Sequence, residues 1–257
     1  LATLEWMHQN ITAHHNCVWS PDTCDAAAAN GHLYCLRFAF DRHFPFSTHG
    51  LNRAAQNGHY LCVEFMLTQN LADWRWDRSR CRTCDFAAAG GHIRVLKLLR
   101  EYALPWCSDT ATMCAKHGHL ECLEWLQEQT CPLDYEWCFR DAAINGHVHI
   151  VRWLMARWQP EDGDEYFDED LLEGVAGNGD EAMAVLELAK ELGTRFDDKA
   201  DLVSIAAQFG ELRCAKWLVE EGAPIDPEAL PACAATGGHL DVLDWIAALP
   251  DMCWGND

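Results

Sequence analysis

A Gly-His pair returns along this 257-residue chain at Gly31-His32, Gly58-His59, Gly91-His92, Gly118-His119, Gly146-His147 and Gly238-His239, with degenerate copies at Gly179-Asp180 and Gly210-Glu211. The spacings are 27, 33, 27, 28, 33, 31 and 28 residues. A period of that size, sustained over the whole length, marks small units that each bury an apolar face only by stacking on their neighbours. The chain reads as a solenoid.

The flanks repeat with the glycine. Small residues stand four and three places before it, as in Ala27-Ala28, Ala54-Ala55, Ala87-Ala88, Cys114-Ala115 and Ala142-Ala143. After it, apolar residues recur at helical spacing, clearest in Leu120, Cys122, Leu123, Trp125 and Leu126 and again in Val148, Ile150, Val151, Trp153 and Leu154. Each unit is therefore helix, glycine turn, helix. The first helix carries alanine where another helix must come close, and the second supplies the large core residues. Glycine ends the first helix in the left-handed conformation that it adopts at no steric cost.

This pattern resembles the ankyrin repeat, whose motif runs Thr-Pro-Leu-His, two alanines, Gly-His and an apolar second helix that ends before a hairpin. The resemblance covers nearly all of the chain in eight registered copies and implies an all-α, helix-turn-helix repeat solenoid. The Thr-Pro-Leu-His segment is missing, however. Aligned on the glycine it reads Asp22-Thr23-Cys24-Asp25 in one copy and Arg82-Thr83-Cys84-Asp85 in another. Most units are also shorter than the usual repeat, so the chain is similar to the short-repeat variety and shortened hairpins are expected. The resemblance further implies protein binding through a concave face of hairpin tips and exposed first-helix positions. Carried over by register, that face includes Arg53, Phe86, Met113 and Asp141 together with Gln56, Lys116 and Gln208.

The expected organisation is one array over residues 1–257, with a leading half repeat in 1–20 and then eight units on the eight turn glycines. Leu1, Leu4, Glu5 and Trp6 align with Leu120, Leu123, Glu124 and Trp125, so the chain opens inside a second helix. It stops at Met252-Cys253-Trp254, a phrase that elsewhere leads into another unit. Neither end carries the polar capping repeat that protects a solenoid, and a longer array is expected. Repeat six, where Asp180-Glu181-Ala182 replaces the usual phrase and Gly174, Gly177 and Gly179 weaken the helices, is expected to be a bend or soft joint.

Apolar residues make up 49% of the chain, enough for a continuous core, and no run approaches the roughly 18 apolar residues of a membrane span. No signal or transit segment is visible. The 14 cysteines fall mostly in register: Cys35, Cys62, Cys122 and Cys214 four places after the glycine, Cys24 and Cys84 seven before it. Small core residues repeated in this way imply a reducing compartment, cytoplasm or nucleus, more than a disulfide framework.

Metal binding by the histidines is not expected. Each belongs to a different repeat, packed helices lie about 8–10 Å apart, and zinc ligands must each come within about 2.3 Å of the ion. The histidines are instead expected to hydrogen-bond the turn that joins the two helices. Cys81-Arg82-Thr83-Cys84 is half a zinc-ribbon spacing without its second pair. No nucleophile elbow, phosphate loop, zinc-protease or dinucleotide motif is present, so neither an enzyme nor a cofactor is expected. The aromatic register of Trp125, Trp153, Trp217 and Trp245, seven after the glycine, reads as core.

Charge divides the chain. Residues 1–160 carry 16 acids and 14 bases, whereas 161–257 carry 24 and 5. The acidic set begins in the insertion at Glu161, Asp162, Asp164, Glu165, Asp168, Glu169 and Asp170 and continues through Asp197, Asp198, Glu220 and Glu221. Such a field repels nucleic acid and anionic membranes and attracts a basic protein. It equally serves to keep a long apolar array soluble. Against this background Trp74, Arg75, Arg78 and Arg80 stand out in an inter-repeat loop, since Trp and Arg are the side chains most often found at binding hot spots. The expected function is a non-catalytic scaffold that binds a protein, a basic one where the charge directs binding, through the concave face and the acidic C-terminal surface. A structural subunit of a stable assembly, or the targeting module of a larger protein, are the alternatives.

Overall fold

Left-handed glycines occur where the period places them: in the computed structural model all eight turn glycines have positive φ, from 38° at Gly179 to 82° at Gly210. The structure describes residues 21–44, 47–69, 82–159, 166–199 and 201–249. The leading half repeat, the Trp74–Arg80 stretch, Cys81, the insertion acids Glu161, Asp162, Asp164 and Glu165, and the closing phrase 252–254 lie outside them.

The described residues form 16 helices and no strand. They come in pairs, first helix then second: α1 Pro21–Ala29 and α2 Leu33–Phe40, α3 Thr48–Gln56 and α4 Tyr60–Gln69, α5 Thr83–Ala89 and α6 Ile93–Glu101, α7 Ser108–Lys116 and α8 Leu120–Glu128. These four pairs belong to a compact unit spanning Leu1–Asp134. A second unit, Tyr135–Asp257, holds α9 Tyr135–Ile144 and α10 Val148–Met155, α11 Glu169–Gly177 and α12 Gly179–Glu191, α13 Leu202–Phe209 and α14 Leu212–Glu220, α15 Ala229–Gly237 and α16 Leu240–Ala247. Within each unit successive first helices pack on one another, and each packs against its own second helix. The alanine pairs are the reason: Ala27, Ala28, Ala54, Ala55, Ala87 and Ala88 are all buried between first helices, and a methyl side chain lets the backbones approach. Leu36, Leu67, Leu96, Leu99, Leu123 and Leu126 from the second helices fill the remaining core.

The turn at Gly58 shows how each first helix stops. His59 N–H donates to Ala54 O at 2.9 Å and Gly58 N–H to Ala55 O at 3.2 Å, the two bonds of a Schellman cap that needs a left-handed residue. A second left-handed turn, which the sequence did not announce, closes the second helices at His43, Ala103, Thr130, Gly193 and Gly222. It carries the same long bond, for example Leu104 N–H to Leu99 O at 3.0 Å and Cys131 N–H to Leu126 O at 3.0 Å. Three of its five occupants have side chains, so no glycine period exposes it. At Ala103 the φ of 56° costs an L-residue about 1–2 kcal/mol, more than the extra unfolded-state entropy of glycine, about 0.5–1 kcal/mol. Ala103→Gly is therefore expected to stabilise by about 0.5 kcal/mol, read as a higher urea midpoint; a lower midpoint would show that the methyl group makes a contact worth more than the strain.

The histidines do something other than hold their own turn. His119 Nε2 lies 3.0 Å from Ala89 O, the last carbonyl of the preceding first helix, and His92 bonds the equivalent carbonyl of Gln56. In other repeats the residue before the glycine makes this link: Asn57 Nδ2 donates to Ala29 O and Asn178 Nδ2 to Ile144 O, both at 2.7 Å. Each of these joints thus has a donor on the next repeat for a helix-end carbonyl that would otherwise be orphaned. Burial lowers the His92 pKa from its ordinary value, with the neighbouring His119 and His59 adding to the effect. In repeat seven Glu211 takes the histidine's place against Gly179, beside the start of α12, where a carboxylate suits the positive end of the helix dipole.

The residues that replace Thr-Pro-Leu-His form polar rungs between repeats. Asp25 accepts from Ser47 N–H at 2.9 Å and from the Ser47 hydroxyl, while Ser47 also caps α3 by accepting from His49 N–H. Thr83 donates to Asn52 at 2.7 Å, and Thr110 donates to Asp85 at 2.6 Å. Arg140 reaches Asp168, the cap of α11, at 2.6 Å. The rungs place buried polar groups opposite partners, as burial requires.

One expectation needs adjustment. The aromatic register is not uniformly core: Trp153 is buried, but Trp125, Trp217 and Trp245 are only half-buried. Trp125 is covered edge-on by Trp106 and approached by Lys97, and Phe196 covers Trp217. Around repeat six both helices form, and Asn178 alone separates them, so α12 is the longest described helix at 13 residues.

Candidate partner-binding surface

In the first unit the outward positions of the first helices line up by register. Arg53 on α3 is exposed, Phe86 on α5 and Met113 on α7 are half-buried, and one turn on Gln56 and Lys116 form a second row. Arg53 donates to Gln56 at 3.4 Å. The face is mixed, a cation and an amide followed by two apolar side chains and a second cation. The buried layer beneath these positions keeps small residues, Ala54-Ala55, Ala87-Ala88 and Cys114-Ala115, while what stands above it changes from repeat to repeat.

In the second unit the corresponding row is Asp141, Gly174 and Ile205, with Ile144, Gly177 and Gln208 one turn on. Asp141 is half-buried and Gln208 exposed. Several members of the acidic set are already engaged. Asp168 caps α11 through Leu171 N–H at 2.7 Å and pairs with Arg140; Glu221 meets Lys190 at 2.6 Å. Asp197 meets Arg195, and hydrogen bonding by that guanidinium holds its carboxyl below the usual range. Glu169, Asp170, Asp198 and Glu220 are exposed. The acids are thus spread over helix starts, loops and second helices of this unit, not gathered on one spot.

One group has the composition of a metal site. The ligand atoms of Asp85, Cys107 and Asp109 lie within 4.8 Å of one another. Arg82 sits among them, 2.9 Å from Asp85 and 3.6 Å from Asp109, and supplies the positive charge itself. Among the described cysteines none forms a disulfide. Burial pushes the Cys24 and Cys62 thiols up to about 11, with Asp25 assisting at Cys24; such thiols stay protonated and behave as small apolar residues. No helix among the described residues is long and apolar enough to cross a membrane.

No protein-family model matches the chain, and no curated protein sequence does. Among solved structures, the crystal structure of the human ASB11 ankyrin repeat domain is similar, with a TM-score of 0.50 and 18% identity over 78% of this chain and 98% of that one. The glycine turns, the alanine-lined first helices and the stacked helix pairs agree with that likeness: this chain has the ankyrin-repeat fold.

Proposed function

We propose that the chain is a non-catalytic scaffold that recognises a protein partner along the exposed faces of its first helices, the face expected to be concave. The observation that carries this is the contrast between layers. Small residues repeat in the buried layer as Ala54-Ala55, Ala87-Ala88, Cys114-Ala115 and Ala142-Ala143, whereas Arg53, Phe86, Met113 and Asp141 above them differ in charge and size. A backbone held constant under varied side chains is suited to reading another surface, and fold alone names no chemistry beyond that. The Trp74, Arg75, Arg78 and Arg80 cluster is proposed as part of the same surface. The acids of the second unit favour a basic partner, and the buried cysteines repeated in register favour a reducing compartment.

The test is affinity capture from the native source with wild-type chain and with a variant carrying Arg53→Glu, Phe86→Ala and Met113→Ala, both first shown to melt alike by circular dichroism. Loss of a specific partner from the variant supports the reading. Capture of no specific partner by the wild type, or a partner retained by this variant and by an Arg75→Ala, Arg78→Ala, Arg80→Ala variant while hydrogen exchange maps it to the second helices, overturns it.

A further inference from the structure

The first-helix face of the second unit has a feature that the first unit lacks. At its centre α11 carries glycine at both outward positions, Gly174 and Gly177. Glycine inside a helix weakens it relative to alanine, and here the nearest neighbours are side chains and not backbone. A Cβ on Gly174 would stand 3.1 Å from the tip of Ile144, and one on Gly177 would stand 3.2 Å from the Phe209 ring. Those are tight contacts with side chains that can yield, unlike the 2.1 Å approach to a backbone oxygen at Gly90 and Gly237. The consequence is a low plate in which Ile144 leans in from α9, and Ile205 and Phe209 from α13, over bare helix backbone. Phe209 remains 58% exposed, so the plate is an apolar surface open to solvent.

Its rim is acidic. Asp141 lies in the same row, and Asp170, Glu173 and Asp201 flank the plate on the helix-start side. Partial burial, and then the charges of Asp201, Asp170 and Glu169, push the Glu173 carboxyl above its ordinary range. Of the nearby cations, Arg140 is held by Asp168 at 2.6 Å, and Lys199 precedes Asp201 by two residues.

We propose that this face docks a protein segment in which Lys or Arg residues flank a bulky apolar anchor. The anchor seats on Gly174, Gly177, Ile205 and Phe209, and the cations meet Glu173, Asp170 and Asp201. This rests on the reading of the fold as a protein-binding scaffold and names the chemistry of the partner. A second copy of the chain carries a formal net charge of −21, which opposes its approach. Nucleic acid is repelled for the same reason.

The experiment titrates the full chain against three fluorescent peptides of equal length: leucine–arginine, glycine–arginine of the same charge, and leucine–glutamate. The leucine–arginine peptide is expected to bind at least about tenfold more tightly than either of the others. Phe209→Ala is expected to weaken it about tenfold, as truncation of an interface anchor does. Glu173→Gln with Asp201→Asn should weaken it several-fold at low salt, with the difference closing at high salt. Each variant is checked for an unchanged melting curve, and Phe209→Leu, which keeps an apolar anchor, should restore most of the affinity. Equal affinity for the leucine–arginine and glycine–arginine peptides, or wild-type affinity in both Phe209→Ala and the double variant, overturns the proposal. A native partner captured normally by the second-unit variants but lost from the first-unit variant also overturns it and leaves the scaffold reading standing. A wild-type chain that captures no partner defeats the scaffold reading, while the peptide titration still decides this one.

Discussion

Gly90→Ala is expected to destabilise the first unit by about 3 kcal/mol or more. Gly90 has an ordinary φ of −87°, so backbone strain is not the cause. An added Cβ would lie 2.1 Å from Gln56 O and 2.6 Å from the His92 ring. The first is backbone in the neighbouring repeat, and it cannot rotate aside. Relief requires α3 and α5 to separate, which loosens the alanine layer and breaks the bond from His92 to Gln56 O. Overpacking costs about 1–3 kcal/mol, and a buried carbonyl left without its donor adds about 1–3 kcal/mol. Gly222→Ala is the matched control. Its φ of 91° is left-handed, but nothing lies within 4 Å of the added Cβ, so only the conformational cost of about 1–2 kcal/mol applies. Urea denaturation of the two variants separates space from strain. If Gly90→Ala loses no more than Gly222→Ala, the close approach of α3 and α5 is wrong.

Thr110→Val is expected to cost about 2 kcal/mol although it keeps the branched shape of the side chain. Thr110 is fully buried. Its hydroxyl donates to Asp85 at 2.6 Å and accepts from Cys107 N–H at 3.3 Å. Valine removes both at once, leaving Asp85, itself buried, with Arg82 as its remaining side-chain partner at 2.9 Å. Hydrogen bonds to a buried charge contribute about 1.5–3 kcal/mol, and losing one partner leaves the other's desolvation uncompensated. Removing both partners should cost much less than the sum, so the double variant Asp85→Ala, Thr110→Val is expected to show a coupling of at least about 1 kcal/mol. Strict additivity in that cycle would mean that the rung between α5 and α7 contributes nothing.

Much of this architecture was legible in particular residues. The Gly-His period placed every described first-helix turn, because a left-handed cap is a local requirement that glycine meets at no steric cost. Ala54-Ala55 and Ala87-Ala88 announced the close helix contacts, since only small side chains permit them. The closing turns at His43, Ala103 and Thr130 were not legible, because tertiary packing holds ordinary residues in a conformation that they disfavour locally. The same holds for the candidate surface. Register alone located Arg53, Phe86, Met113 and Asp141. That Phe209 lies beside Gly177 while Glu173 faces Asp201 depends on how neighbouring repeats stack.

What the sequence determined by itself was the repeating unit: its period, its helix-turn-helix form, its buried alanine layer and the concentration of acids beyond residue 160. These follow from chemistry within a few residues, such as backbone sterics at glycine and the helical spacing of apolar side chains. What only the tertiary structure decided was the partnership between units. His92 and His119 reach back to the preceding repeat, and Asn57 makes the same link where its own histidine does not. Asp25 and Asp85 became bonded rungs where the familiar Thr-Pro-Leu-His is missing. A donor or a carboxylate has many possible partners along a chain, and the one it takes is settled by which helix ends the stacked backbones bring within about 3 Å.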